Sequence, residues 1–136
     1  MASIWLFKTE PSSYSYDQLE RDGKTTWDGV KNAAARKNIA AVKRGDQLLI
    51  YHTADEKSVI GVAKALSDGY PDPKQKDKKA AVVDLSPVAR LKRPVTLAEL
   101  KQRPSLRDFP LVRLPRLSAM PVSAAEWKEI ESLSRT

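Results

Sequence analysis

The sequence predicts an α+β domain, a compact, curved or barrel-like sheet with short helices packed on its outside. Three observations predict it. Strand-like runs alternate with short helical runs but do not fall into regular strand–helix–strand units. The chain of 136 residues has no internal repeat, low-complexity linker or composition shift, so residues 1–136 read as a single domain. A content of 41% hydrophobic and 30% charged residues belongs to the globular class rather than the disordered one.

Each element has a local reason. Ser3-Ile4-Trp5-Leu6-Phe7 reads as a buried opening strand, rich in apolar and aromatic residues. Thr9-Glu10-Pro11-Ser12-Ser13 breaks it, because proline and serine favour turns. Ser15 is placed to cap a short helix over residues 16–20, which Gly23 ends. The alanine-rich run over residues 32–42 suits a second helix, with Gly45-Asp46 as its stop and turn. Two strands follow, over residues 47–52 and 59–66, joined by a polar hairpin loop at residues 53–57.

Tyr70-Pro71-Asp72-Pro73 is expected to be irregular, since two prolines one residue apart forbid a regular ladder. A charged loop over residues 74–79 leads into a strand from Ala81 through the region 85–91, where Pro87 implies an edge or a bulge. Thr96 and Glu99 have the spacing of a capping box for a helix over residues 97–102. The three prolines between residues 104 and 115 predict a segment that wanders over the surface. Residues 117–120 return as a strand, and Ser123 with Glu126 opens a last helix. Trp127, Ile130 and Leu133 recur there at helical spacing and belong to the core.

Composition excludes several function classes. The absence of cysteine removes disulfides, thiolate nucleophiles and cysteine-ligated metals together. The single histidine, His52, cannot form a multi-histidine site, and acidic residues of calcium-loop spacing are missing, so no metal or other cofactor is predicted. No apolar run exceeds four residues, as at Ile4 to Phe7 and Leu48 to Tyr51. A membrane-spanning helix needs ~20. Charges at Lys8 and Glu10 precede any apolar signal region, so a cytoplasmic, intracellular location is expected. A net charge of +7 favours phosphate-bearing partners through counterion release. Charge alone does not separate that reading from a merely soluble lysine-rich surface.

Seven of the nine aromatics lie at or before Tyr70. Trp27 precedes Asp28-Gly29, where glycine permits a close backbone approach. Tyr51 and His52 end a strand, and Tyr70 leads into Pro71-Asp72. Brought together, these ends would make a flat-walled cavity for a planar ring, where stacking is worth ~1–3 kcal/mol per base. The amide of Asn32 offers both donor and acceptor to such a ring's edge. The competing reading, which the residues by themselves slightly favour, puts Trp27 and Tyr51 in the core and makes Asn32 a helix cap.

Catalysis has two weaker arrangements. Lys8, Thr9 and Glu10 form a polar trio after a buried strand, and Ser12 or Ser13 with His52 makes a nucleophile and base on paper. Neither has a glycine-flanked elbow, and the five glycines are scattered singly rather than forming a phosphate loop. Two basic groups stand out: Lys74, Lys76, Lys78 and Lys79 in one loop, and Lys101, Arg103, Arg107, Arg113 and Arg116 across the proline-containing segment. Either can track a phosphate backbone or simply be solvated. Arg116-Leu117-Ser118 carries more weight, because prolines flank it.

The ordered set Trp5-Leu6-Phe7-Lys8-Thr9-Glu10-Pro11-Ser12 and Thr26-Trp27-Asp28-Gly29-Val30-Lys31-Asn32 is then followed by Gly45-Asp46, Tyr51-His52 and Gly61-Val62-Ala63. Tyr70-Pro71-Asp72-Pro73 and Arg116-Leu117-Ser118 complete it. Each motif is weak alone; in this order and spacing, from about residue 3 to about residue 131, the chain closely resembles the EVE domain family. The resemblance implies a PUA-like fold, a curved or closed mixed β-barrel with short helices around it. It also implies similarity to YTH domains, which hold a methylated adenine in an aromatic cage.

The function so implied is non-catalytic binding of DNA or RNA carrying a modified base, by a monomer with no membrane partner. Carried over by position, Trp27 is a cage wall, Gly29 and Val30 the backbone lining, and Asn32 the reader of the base edge. Lys8, Thr9, His52 and Thr53 supply polar contacts, Tyr70 and Pro71 close one side, and Arg116, Leu117 and Ser118 contribute from the C-terminal part. Lys74, Lys76, Lys78 and Arg113 are the expected phosphate contacts. Two departures stand out. Ala33 sits where the family commonly has an aromatic, which would open the pocket or remove a stacking surface, and Ala119-Met120-Pro121 replaces a commoner valine and polar residue before the proline. The alternatives are an ASCH-like hydrolase acting on a modified nucleoside and a module that binds a peptide in the same cleft.

Overall fold

Alternating side chains along the central strands feed apolar groups to both sides of one sheet, and helices cover each side. In order, a computed structural model gives β1 (Ile4–Thr9), α1 (Tyr16–Asp22), β2 (Thr25–Trp27), α2 (Ala33–Ala41), β3 (Gln47–His52), β4 (Ser58–Ala65) and β5 (Tyr70–Pro71). Then come β6 (Ala81–Thr96), α3 (Leu97–Lys101), a 3-10 turn (Pro104–Leu106), α4 (Pro110–Arg113), β7 (Ala119–Val122) and α5 (Ala124–Ser134). The structure describes residues 2–77 and 79–136.

The sheet is mixed and curls into a half-barrel, in the order β2-β6-β4-β3-β1-β7 with β5 paired to β6. Its parallel pair is β1 with β3, where Leu6 stands opposite Leu49 and Phe7 opposite Ile50. Phe7, Leu48 and Ile50 face one core, shared with Tyr16 and Leu19 of α1, Ala35 and Ile39 of α2, and Trp27. Leu6, Leu49 and Tyr51 face a second core, with Leu100, Leu106, Phe109, Leu111, Ile130 and Leu133. One strand register therefore builds two cores at once.

The helix starts follow their capping residues. Ser15, Thr96 and Ser123 each complete a capping box with Gln18, Glu99 and Glu126. Gly23 ends α1 in the left-handed conformation. Helix α2 covers Ala33–Ala41, capped by Asn32 and Val42, within a residue of the expected bounds. Gly45-Asp46 makes the turn that follows and also serves as a brace, because the buried Asp46 carboxylate accepts hydrogen bonds from the Ser3 and Lys43 amides and from the Trp5 indole N–H. That binds the start of β1 to the turn before β3.

Several expectations are corrected. Tyr70-Pro71 is not wholly irregular, because two residues pair with Val82 and Ala81 before Pro73 ends the ladder. The strand from Ala81 runs on to Thr96, and it does so through irregular register against β4 near Pro87. The proline segment does not wander over the surface. Pro104 and Pro110 open short helical turns, where their missing N–H is not needed, and Leu106, Phe109 and Leu111 between and after them are fully buried. The last strand starts two residues later than expected, at Ala119.

Candidate functional site

The chain leaving β1 turns back on itself. The Glu10 carbonyl accepts the Ser13 and Tyr14 amides, and the Thr9 hydroxyl donates to the Tyr14 carbonyl at 2.7 Å. Tyr14 is thereby held beside the end of β1. From the other side β2 pairs with β6, Trp27 opposite Val83, and brings the indole to the same place. The Trp27 ring lies 5.7 Å from Phe7 at a 37° tilt and 6.2 Å from Tyr14 in an edge-on contact. Beside these rings the domain leaves an open volume.

That volume is a cavity of about 600 Å³ lined by Lys8, Thr9, Glu10, Ser13, Tyr14, Thr25, Thr26, Trp27, Asp28, Gly29, Val30, Lys31 and Ser118. Gly29 makes its rim, with φ of +75° and nothing within 4 Å of an added Cβ. The Val30 carbonyl accepts from Arg36 Nε at 2.7 Å, which ties this rim to α2. Ser118 reaches the cavity because its carbonyl accepts the Lys8 amide, extending the contact of β7 with β1. The cavity thus has an aromatic wall, a glycine rim, hydroxyls, the carboxylates of Glu10 and Asp28, and Lys31.

Lys8 lines the cavity as well. Its ammonium donates to the Pro115 carbonyl at 2.9 Å and stands 5.8 Å from the centre of the Tyr51 ring. Burial of the side chain pushes its pKa below the ordinary lysine value. Burial likewise raises the Tyr14 phenol, and its hydrogen bond to the Asp22 carboxylate raises it further. Tyr14 therefore stays a neutral wall.

Six of the residues expected from sequence meet at this cavity: Lys8, Thr9, Trp27, Gly29, Val30 and Ser118. The others lie elsewhere. Asn32 caps α2, its side-chain oxygen accepting from the Ala35 amide. His52 is buried, with Nε2 accepting from the Tyr16 amide and Nδ1 facing Glu56, each at 3.0 Å. Those partners assign the proton to Nδ1 and leave the ring no free nitrogen for Ser12 or Ser13. Thr53 hydrogen-bonds to the Thr9 carbonyl through its amide.

Tyr70 and Pro71 line a separate cleft of about 470 Å³ beside α2. Tyr70 donates its hydroxyl to Asp84, a bond that keeps its pKa above the usual phenol value. Arg116 is exposed, and Leu117 packs between the two cores. Lys74, Lys76 and Arg113 are exposed, and Lys78 lies outside the described residues. Ala33 is a wall of the second cleft, not of the first cavity. Sequence reasoning assigned no site role to Tyr14, two residues beyond one quoted motif, or to Lys31, which lies within another.

The family model described as EVE domain matches residues 3–133. Human thymocyte nuclear protein 1 is 30% identical over 167 residues, covering 98% of this chain and 74% of the relative. A solved structure of the human THYN1 protein in complex with 5-methylcytosine containing DNA superposes with a TM-score of 0.89 at 28% identity, covering 99% of each chain. The NMR structure of Rpa0253 from Rhodopseudomonas palustris superposes with a TM-score of 0.92 at 38% identity, covering 98% of this chain and 94% of that one. An ASCH structure from Zymomonas mobilis shares the fold at 14% identity, with a TM-score of 0.60 over 96% of this chain and 95% of that one.

Proposed function

Because the chain belongs to the EVE domain family, we propose that it is a non-catalytic reader of DNA carrying a modified base, with 5-methylcytosine as the first candidate. The observation that carries this reading is the cavity beside Trp27, in which an aromatic wall stands against the Gly29 rim, hydroxyls and Lys31. A planar base stacks on the indole, while Thr9, Ser118 and the backbone around Gly29 meet its polar edge. Val30 and Tyr14 give a methyl group apolar contact. Lys31, at the mouth, takes a flanking phosphate, and Lys74 and Lys76 add to the positive field. Asn32 serves the site indirectly, by fixing the start of the helix behind it. The protein acts as a monomer inside the cell.

The serine–histidine form of the hydrolase reading fares worse, because His52 is held by Tyr16 and Glu56 on both ring nitrogens. Two duplexes that differ only in one 5-methyl group decide the matter. By fluorescence anisotropy the methylated duplex binds more tightly, and Trp27→Ala removes the ~1–3 kcal/mol expected of one stacked base. Trp27→Phe, which keeps a ring against Phe7 and Tyr14, retains most of the affinity. Affinity and methyl preference untouched by Trp27→Ala in a folded protein would refute the proposal.

A further inference from the structure

We propose that the cleft between α2 and β5 is a second nucleotide subsite, which takes an unstacked base adjacent on the same strand to the one in the first cavity. This inference rests on the first cavity holding a base. The two spaces are joined. A smaller hollow of about 280 Å³ shares Gly29, Val30 and Lys31 with the first cavity, and Arg36, Ala80 and Ala81 with the cleft. A trough therefore runs from Trp27 to Ala33 without leaving the surface of the domain.

The cleft itself is shaped for a flat apolar group. Its volume of about 470 Å³ lies within the ~300–1,000 Å³ of ordinary ligand pockets. Alanine side chains at Ala33, Ala40 and Ala81 leave this space open, and the ring of Pro71 offers a flat face. The walls are pinned rather than free to collapse. Gly69 presses so closely on α2 that a Cβ there would stand 2.0 Å from the Ile39 carbonyl oxygen. Its amide also donates to the Val42 carbonyl at 2.9 Å.

Charge selects the occupant. Arg36, Lys37 and Lys79 line the cleft, and among the described residues no carboxylate does. Arg36 is held where the two spaces meet, its Nε on the Val30 carbonyl and its NH1 on Asp77. A guanidinium fixed there faces the phosphate that must link the two nucleotides. Asp72, which lines the connecting hollow, already accepts the Lys74 amide. Apolar floor, cationic rim and continuity with the first cavity together suit a nucleotide better than a peptide.

The test compares 5-methyl-2′-deoxycytidine monophosphate with deoxydinucleotides that carry a second base on the 5′ or the 3′ side, and with the same dinucleotides made abasic there. NMR titration of the full chain reads both affinity and place. On one side only, the second base strengthens binding at least five-fold and shifts the amides of Gly69 and Ala81. Ala33→Phe, at an exposed first position of α2 and outside the first cavity, removes that gain and leaves the mononucleotide affinity unchanged.

A gain that survives Ala33→Phe, or that the abasic dinucleotide reproduces, overturns the second subsite and keeps the first. Mononucleotide affinity unmoved by Trp27→Ala instead overturns the first-cavity reading, and this inference falls with it. If Ala33→Phe weakens a glutamate-rich peptide probe and no nucleotide, the cleft is a peptide site and the proposal is wrong.

Discussion

The two faces of the curled sheet draw on the same strands and are finished differently. On the face covered by α3, α4 and α5, mostly aliphatic residues with Tyr51, Phe109 and Trp127 pack around β1, β3 and β7. On the face covered by α1 and α2, Trp5, Phe7, Tyr14, Tyr16 and Trp27 join Leu19, Ile39, Leu48 and Ile50. The rings of Phe7, Tyr14 and Trp27 meet at 37° and edge-on at one end of the second face. The first face is closed by its helices, and the second keeps a cavity of about 600 Å³ at its mouth.

The largest test of this contrast is Phe109→Ala. Phe109 is fully buried on the closed face, and removing its ring should cost ~3–5 kcal/mol of stability. Urea denaturation would read that loss as a lowered midpoint. Oligonucleotide affinity, measured where the variant is still folded, should stay at the wild-type value. A parallel loss of affinity would mean that the two faces are not separable, and the contrast between them would fail.

How much of the molecule is legible in its sequence follows from the range of the interactions involved. The capping boxes at Ser15, Thr96 and Ser123 are three-residue signals, and each marks a helix start where it was expected. Strand β3 keeps its expected bounds because its hydrophobic run is uninterrupted. The proline segment misled, since prolines at the first turn of a helix look the same in sequence as prolines in a surface loop. Phe109 and Leu111, on either side of Pro110, were the signal of burial.

The candidate site divides in the same way. Trp27, Gly29 and Val30 are neighbours in sequence and stay together, and Lys8 and Thr9 join them across the sheet. His52 and Tyr70 look equivalent to Trp27 as ends of strands, yet the bonds of His52 to Tyr16 and Glu56 and the separate pairing of β5 with β6 hold them elsewhere. The competing interpretations of Trp27 turn out not to exclude each other. It is 8% exposed, packs on Phe7 and still lines the cavity.

A smaller effect sharpens the description of the open face. At φ of +75° Gly29 sits where an L side chain is strained, and nothing crowds the place its Cβ would take. Gly29→Ala should therefore lose ~1–2 kcal/mol from backbone conformation alone. The added methyl enters open space at the cavity rim, so base affinity should fall as well, unlike in Phe109→Ala. A thermal melt and a binding curve on the same preparation separate the two effects. Lowered stability with unchanged affinity would place the rim of the site away from Gly29.

The smallest effect belongs to the closed face and depends on pH. The Arg93 guanidinium donates to both Glu99 oxygens, at 2.9 and 2.6 Å, and the Thr96 amide and hydroxyl donate as well. These bonds, with the one to Arg93 foremost, hold the Glu99 pKa at about 2, below its ordinary 4.5. A carboxylate depressed on folding contributes stability that is complete above the unfolded value and is lost as pH falls. The window here runs from about 4.5 down to about 2. Because the pair is partly exposed, its contribution should not exceed ~1 kcal/mol.

Glu99→Gln keeps an acceptor for the Thr96 amide and removes the charge. It should be less stable than wild type at neutral pH, and the difference should close as the pH drops through that window. A difference that stays constant with pH would mean that Glu99 acts through the geometry of the cap alone. Base binding, measured at neutral pH, should be the same for both proteins, because Glu99 closes the face of the sheet opposite the cavity.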